Sequence, residues 1–246
     1  MKRELLGNRS LEHSSVVANS LMNRTRSFRS SSGNSYEKEL AFDIAGFLEM
    51  RLRALPGEKQ VGWLDLCCGS GKALIGAANY FAERKLSSRI KITGVDLAGM
   101  FEPYRAAEPD FLHLIESPIE RWQPGASGEF DLITCVHGLH YIGDKLGLIR
   151  KAVSLWLKKD GIFAANLDLA NFRHADGKPA AGAVAGEFGR CGIEYKSNKR
   201  LIVARGKKEI EFKFEYLGAD DKAGANYTGQ FAVDSYYTTK SGLPEN

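Results

Sequence analysis

Two histidines three residues apart, in Val136-His137-Gly138-Leu139-His140-Tyr141, are the side chains of this 246-residue chain best suited to moving a proton near neutral pH. A second run, Asp65-Leu66-Cys67-Cys68-Gly69-Ser70-Gly71, sets an acid ahead of two glycines where an apolar stretch ends. Glycine at such a turn lets a ligand press against the main chain and take its N–H groups. A third run, Ile90-Lys91-Ile92-Thr93-Gly94-Val95-Asp96, ends in a carboxylate suited to ribose hydroxyls. Together they describe a nucleoside site with a proton acceptor beside it.

Spacing decides which nucleoside. A Walker A loop needs glycine five positions before the Gly71-Lys72 pair and a hydroxyl residue after it, but Leu66 and Ala73 stand there. A dinucleotide fingerprint needs a third glycine three positions past Gly71, and Leu74 occupies that place. The remaining pattern, Asp65 through Gly71, resembles motif I of the class I S-adenosylmethionine-dependent methyltransferases, of the small-molecule and natural-product type. Cys67 replaces the first glycine of the family's run. The resemblance spans about residues 61 to 217. It implies an enzyme whose cofactor is S-adenosylmethionine, with Asp65, Cys67, Gly69 and Gly71 at its methionyl end and Asp96, with Leu97, at its ribose. It also implies that Ser117 stands near the adenine, where the family more often has aspartate, that His137 touches the cofactor, and that the Tyr36 hydroxyl reaches the methionyl carboxylate.

These residues need a scaffold that gathers strand ends. Apolar segments at 61–66, 90–96, 111–115, 130–136 and 161–167 alternate with helical stretches, which predicts a parallel sheet covered on both faces. Ligands bind at the C-terminal edge of such sheets. The fold class expected is α/β, a Rossmann-like seven-stranded methyltransferase sheet, mostly parallel with a C-terminal antiparallel hairpin. Leu40, Ile44, Phe47, Leu48, Leu52 and Leu55 predict one helix over 35–55, opened by an Asn34/Glu37 capping box. A small-residue segment at 179–190 reads as helix. The segments 200–205 and 209–216, the second strictly alternating, predict the closing hairpin. Residues 1–34 read as a basic N-terminal arm or lid, and 35–246 as a single methyltransferase domain with a C-terminal loop and tail, 217–246.

Catalysis is expected from His137 and His140, with Tyr141 alongside. Methyl transfer is an in-line displacement, so the protein must hold the nucleophile aligned and remove its proton where one is present. The 217–230 loop is too long for a plain connection, and its Asp220 and Asp221 could meet a cationic acceptor. The acceptor class expected is an oxygen or nitrogen of a small metabolite or short peptide.

Charge narrows the partners. The chain carries a net +4, and residues 1–30 hold six basic against two acidic side chains, so the arm carries the whole excess. A neutral body argues against nucleic acid, and the absent Asn-Pro-Pro-Tyr motif argues against DNA and glutamine methylation. RNA or protein methylation with the arm as docking element is the competing reading, and a non-catalytic binding module for the cofactor a third. An Arg/Ser-rich arm also has transit-peptide composition. Cys67, Cys68, Cys135 and Cys191 form no CxxC pair, which points to a reduced, cytoplasmic compartment. No apolar run approaches the roughly 18 residues of a membrane span. No His/Cys spacing marks a metal.

Overall fold

The computed structural model describes residues 4–18, 26–30, 33–57, 59–105, 111–125 and 128–240. The arm residues Lys2, Arg3 and Arg24, and the last six of the tail, lie outside the described residues. Chain order begins with two single-turn helices, α1 (Asn8–Leu11) and α2 (Ser15–Ala18), followed by α3 (Tyr36–Leu40) and α4 (Ile44–Ala54). The expected 35–55 helix is thus two. Ala41 takes a left-handed conformation with φ 47° and closes α3, after which the Asp43 side chain accepts from Gly46 N–H and starts α4. The first cap is Ser35, accepting from Lys38 N–H, rather than Asn34.

Strands β1 (Val61–Leu66), β2 (Ile90–Asp96), β3 (Leu112–Glu116) and β4 (Phe130–Cys135) follow, with α5 (Lys72–Glu83) between the first two. Nearly every β1, β2 and β4 residue is buried, as both faces of a covered parallel strand require. Then come α6 (Lys145–Lys151), β5 (Leu157–Asn166), β6 (Phe172–His174), α7 (Ala181–Arg190), β7 (Glu194–Lys196), β8 (Leu201–Arg205), β9 (Phe214–Asp220) and β10 (Asp234–Thr239). Among the described residues, no helix is long and apolar enough to cross a membrane.

The main sheet has seven strands in the order β3-β2-β1-β4-β5-β8-β7. β1 to β5 are mutually parallel, and β8 runs antiparallel to both β5 and β7. This is the expected Rossmann-like methyltransferase sheet. One core layer packs Trp63, Leu74, Phe81 and Leu48 under α4 and α5, and the other packs Trp156, Ile149, Phe163 and Phe188 under α6 and α7. The topology reverses between β1 and β4, so their C-terminal ends open a crevice between diverging connections.

The hairpin expected from 200–205 and 209–216 does not form. β8 pairs back through the short 3-10 turn Ser197–Lys199 to β7, and of the alternating segment only 214–216 is strand, the start of β9, which joins β10 and β6 in a separate three-stranded sheet. Alternation specifies a half-buried strand, not its partner. The arm adds to this second sheet, because Leu6 exchanges both backbone hydrogen bonds with Ala219 at 2.8 and 2.9 Å. Leu11 packs on Ala219 and Val233.

Fully buried Lys145 ties the second sheet to the first. Its Nζ donates to Ile142 O at 2.9 Å, Val233 O at 2.8 Å and Ser235 Oγ at 2.7 Å. Burial lowers its pKa to about 7, while all three N–H groups of the charged form find acceptors.

Candidate active site

The turn after β1 is held from below by a buried chain of hydrogen bonds. Trp63 Nε1–H donates to Thr134 Oγ1 at 2.9 Å, the Thr134 hydroxyl donates to Asp65 Oδ1, and the Tyr36 hydroxyl donates to Asp65 Oδ2 at 2.8 Å. Burial raises the Asp65 carboxyl to about 7, against the two hydroxyl donors that favour its charge. Asp65 thereby braces α3, β1 and β4 together. Tyr36 is wholly buried beneath the turn.

Above this brace the main chain turns sharply. Cys67, Gly69 and Gly71 all have positive φ, at 59°, 62° and 75°. Gly71 opens α5, and a Cβ there would press on Leu114 at 2.8 Å. Asp96 ties this turn to the end of β2, since Oδ2 accepts from Gly69 N–H at 2.8 Å and Oδ1 from Ala98 N–H at 3.0 Å. Gly138 lies across from Cys67, and a Cβ on it would meet Cys67 Cβ head-on and lie 2.8 Å from Cys135 Sγ. The cysteine at the turn's first-glycine position fits against a facing residue that has no side chain.

A cavity of about 810 Å³, counting its open mouth, lies against this turn. It is lined by Cys67, Gly69, Asp96, Leu97, Gly138 and Tyr141, with Pro118, Ile119 and Glu120 after β3. The arm roofs it with Asn8, Glu12 and Val17. Three acidic residues, Glu12, Asp96 and Glu120, line it, Glu12 being paired with Arg121 at 2.6 Å, and no described lining residue is Lys, Arg or His. Such a wall repels a pyrophosphate and fits a nucleoside that brings hydroxyl donors and a positive charge. S-adenosylmethionine, with its sulfonium, is of that kind.

Of the expected site residues, Cys67, Gly69, Asp96, Leu97 and Tyr141 line this cavity. Asp65 and Tyr36 sit under its floor. Ser117 follows β3 with its N–H on Asp96 O at 2.9 Å and its hydroxyl on Pro118 O at 3.4 Å. His137 stands behind Gly138 in a second, polar cluster.

That cluster gathers two histidines, a glutamate and a tyrosine within hydrogen-bonding reach of one another. His137 has φ 55°, directing it off the end of β4, and is 3% exposed. Its Nε2 lies 2.9 Å from Glu39 Oε2, and its Nδ1 lies 3.4 Å from both His140 Nε2 and the Tyr227 hydroxyl. The hydrogen bond to His137 is the main cause that holds the Glu39 carboxyl below its usual range. An ionised Glu39 makes Nε2 the protonated nitrogen and leaves the Nδ1 lone pair toward His140 and Tyr227. Burial, with the charges of His137, Lys145, Arg200 and Arg26, holds His140 well below the ordinary histidine pKa, and its Nδ1 has no hydrogen-bond partner among the described residues. Arg26 pairs with Glu39 at 3.4 Å, and Asn166 Nδ2–H donates to Glu39 O at 3.4 Å. Over the histidines, the Tyr227 ring lies 3.9 Å from the Arg200 guanidinium, which in turn reaches Asp168 at 3.9 Å.

Glu39, Arg200, Tyr227, Glu12 and Glu120 went unnoticed in the sequence. Each stands alone in its own segment, and only the topology brings them to the ends of β1, β4 and β5. The loop around Tyr227 drew attention through its aspartates, but these serve as ties: Asp221 accepts from Ser14 Oγ at 2.6 Å, and Asp220 from Lys222 N–H at 2.9 Å.

A family profile described as a methyltransferase domain matches residues 38–190. The chain belongs to this methyltransferase family, whose methyl donor is S-adenosylmethionine. Solved structures similar to it include the plantazolicin methyltransferase BpumL with a monoazolic desmethylPZN analogue and SAH, at 13% identity and a TM-score of 0.36, over 63% of this chain and 51% of that one. The DszA carbon methyltransferase has 16% identity and a TM-score of 0.39, over 49% of this chain and 32% of that one. A Haloferax volcanii putative methyltransferase, solved with the Trm112 activator, has 19% identity and a TM-score of 0.31, over 48% of this chain and 49% of that one. The matched segment spans about half the length of the first of these, 51%. No curated protein matches the chain.

Proposed function

We propose that this chain transfers the sulfonium methyl of S-adenosylmethionine to an oxygen or nitrogen of a small metabolite or short peptide, with His137 as proton acceptor. The cofactor, when bound, supplies an electrophilic methyl group. Asp96 and the Gly69 turn would hold its sugar and methionyl ends, with the carboxylate wall balancing its charge. The observation that carries the catalytic assignment is the Glu39–His137 pair, at 2.9 Å. Its carboxylate fixes one tautomer and leaves Nδ1 to the cluster, one residue along the chain from Gly138, which lines the cofactor cavity. His140, kept neutral, lies next to that nitrogen and orients it.

The arm works inward. Arg26 is 7% exposed and pairs with Glu39, Arg29 pairs with Glu37 at 3.0 Å, and Glu12 pairs with Arg121 at 2.6 Å. Charges so engaged favour a roof over the cofactor rather than a dock for RNA or protein, and a histidine held between Glu39 and His140 favours catalysis over a binding module. The test is transfer of labelled methyl from S-adenosylmethionine to a panel of small hydroxy and amino compounds. His137→Ala should lower turnover by about 100-fold or more, the usual share of a general base. Unaltered turnover would remove His137 from the mechanism.

A further inference from the structure

Tyr227 holds a position that the fold does not require of it. It comes from the connection between β9 and β10, is 39% exposed, and directs its hydroxyl inward to His137 Nδ1 at 3.4 Å. Its ring stands edge-on to His140, with centroids 5.5 Å apart at 80°, and the Arg200 guanidinium carbon lies over its face, 3.9 Å from the ring centre. The hydroxyl therefore shares with His140 Nε2, also at 3.4 Å, the one lone pair that the Glu39–His137 pair offers to an acceptor.

We propose that the Tyr227 side chain occupies the seat of the methyl acceptor in this closed arrangement, and that the acceptor is an aromatic hydroxyl compound. The assignment rests on the methyl-transfer reading above and names the substrate class of that same site. Three features of the seat select a phenol. A flat guanidinium favours an aromatic face. The T-shaped imidazole of His140 favours another. His137 Nδ1 then stands at the position of the hydroxyl proton, not at the ring centre.

An aliphatic alcohol would lack both stacking contacts, and a cationic amine would face Arg200 and Arg26. The need for a base follows from the same environment. Burial, chiefly, pushes the Tyr227 phenol up to about 12, so an acceptor phenol in its place arrives protonated. In the transfer, the phenolic oxygen forms a bond to the methyl carbon and the carbon–sulfur bond breaks with its electron pair to sulfur. The phenolic proton passes to His137 Nδ1. The products are an aryl methyl ether, a thioether nucleoside and an imidazolium paired with Glu39.

Deleting the plug while supplying its fragment tests this. Tyr227→Gly opens a hole shaped like 4-methylphenol, the tyrosine side chain itself. Calorimetry should show that Tyr227→Gly binds 4-methylphenol at least tenfold more tightly than toluene, which has the ring but no hydroxyl, and more tightly than the wild type does. With labelled S-adenosylmethionine the variant should then form 4-methylanisole, with a lower KM for 4-methylphenol than the wild type. Should the glycine variant not fold, Tyr227→Phe keeps the ring and frees only Nδ1. It should retain the wild-type preference for phenols over cyclohexanol and over benzylamine, assayed with the same label.

Equal binding of 4-methylphenol and toluene, binding without ether formation, or transfer to cyclohexanol or benzylamine in preference to phenols would each overturn the acceptor class. Those results leave cofactor binding intact. Failure of the methyl-transfer reading itself would show instead as no binding of S-adenosylmethionine.

Discussion

Gly138→Ala offers a quantitative test of how the cofactor cavity is built. The added methyl would collide with Cys67 Cβ and come within 2.9 Å of Cys67 Sγ and 2.8 Å of Cys135 Sγ, with the strand and the positive-φ turn both fixed in place. Overpacking of this kind costs about 1–3 kcal/mol. The cost is steric and falls mainly on Cys67, with the Cys135 Sγ contact remaining in either background. Cys67→Gly removes that partner and also relieves a non-glycine residue from φ 59°, a conformation worth roughly 1 kcal/mol of strain. In a double-mutant cycle by guanidinium denaturation, Gly138→Ala should therefore destabilise the wild type by about 2 kcal/mol and the Cys67→Gly protein by less than about half of that. S-adenosylhomocysteine affinity should follow the same pattern, since both residues line the cavity. A penalty below about 0.5 kcal/mol, or an equal one in both backgrounds, would refute the steric coupling.

Three further outcomes follow from the same contacts. Glu39→Gln removes the carboxylate that fixes the His137 tautomer, so methyl transfer should fall about tenfold or more, measured by initial rates; unaltered rates would separate Glu39 from the mechanism. Asp65, raised to about 7 in the fold from an ordinary value near 3.8, keeps its proton in the folded state only, so its contribution to stability is full below about pH 4 and is lost as pH rises through 7. Asp65→Asn should remove that decline in denaturation experiments between pH 4 and 7, whereas an unchanged slope would contradict the assignment. Lys145→Met should cost about 3 kcal/mol by stranding Ile142 O and Val233 O, and limited proteolysis should then open the β9–β10 connection first; a stable, protease-resistant variant would show that the tie is dispensable.

Much of the cradle was legible because buried parallel strands leave continuous apolar runs, and β1 and β2 end where the expected turn glycines and acid begin. β5 was found from its second half only. It starts at Leu157, but Lys158 to Gly161 fall between the pairs Phe130–Leu157 and Leu132–Ile162, so this polar stretch is out of register with β4 and masks the strand's start. The break at Ala41 was invisible because alanine, not glycine, takes the left-handed position. β9 was recognisable as a strand but not by its partner, since pairing with β10 rather than β8 depends on Lys145, Leu6 and Leu11, which no local pattern encodes. The same holds for the acceptor side. Histidines after β4 signal chemistry by type, whereas Glu39, Arg200 and Tyr227 acquire theirs from three distant segments meeting at one edge.

Calorimetric titration with S-adenosylmethionine, comparing the wild type with Asp96→Asn, tests the cofactor site most directly. The asparagine keeps Oδ1 for a main-chain N–H and removes the charge that faces the sugar. The site described here predicts one cofactor per chain for the wild type and affinity weakened by about tenfold in the variant, a loss near 1.4 kcal/mol. No binding by the wild type, or equal affinity in both, would contradict it.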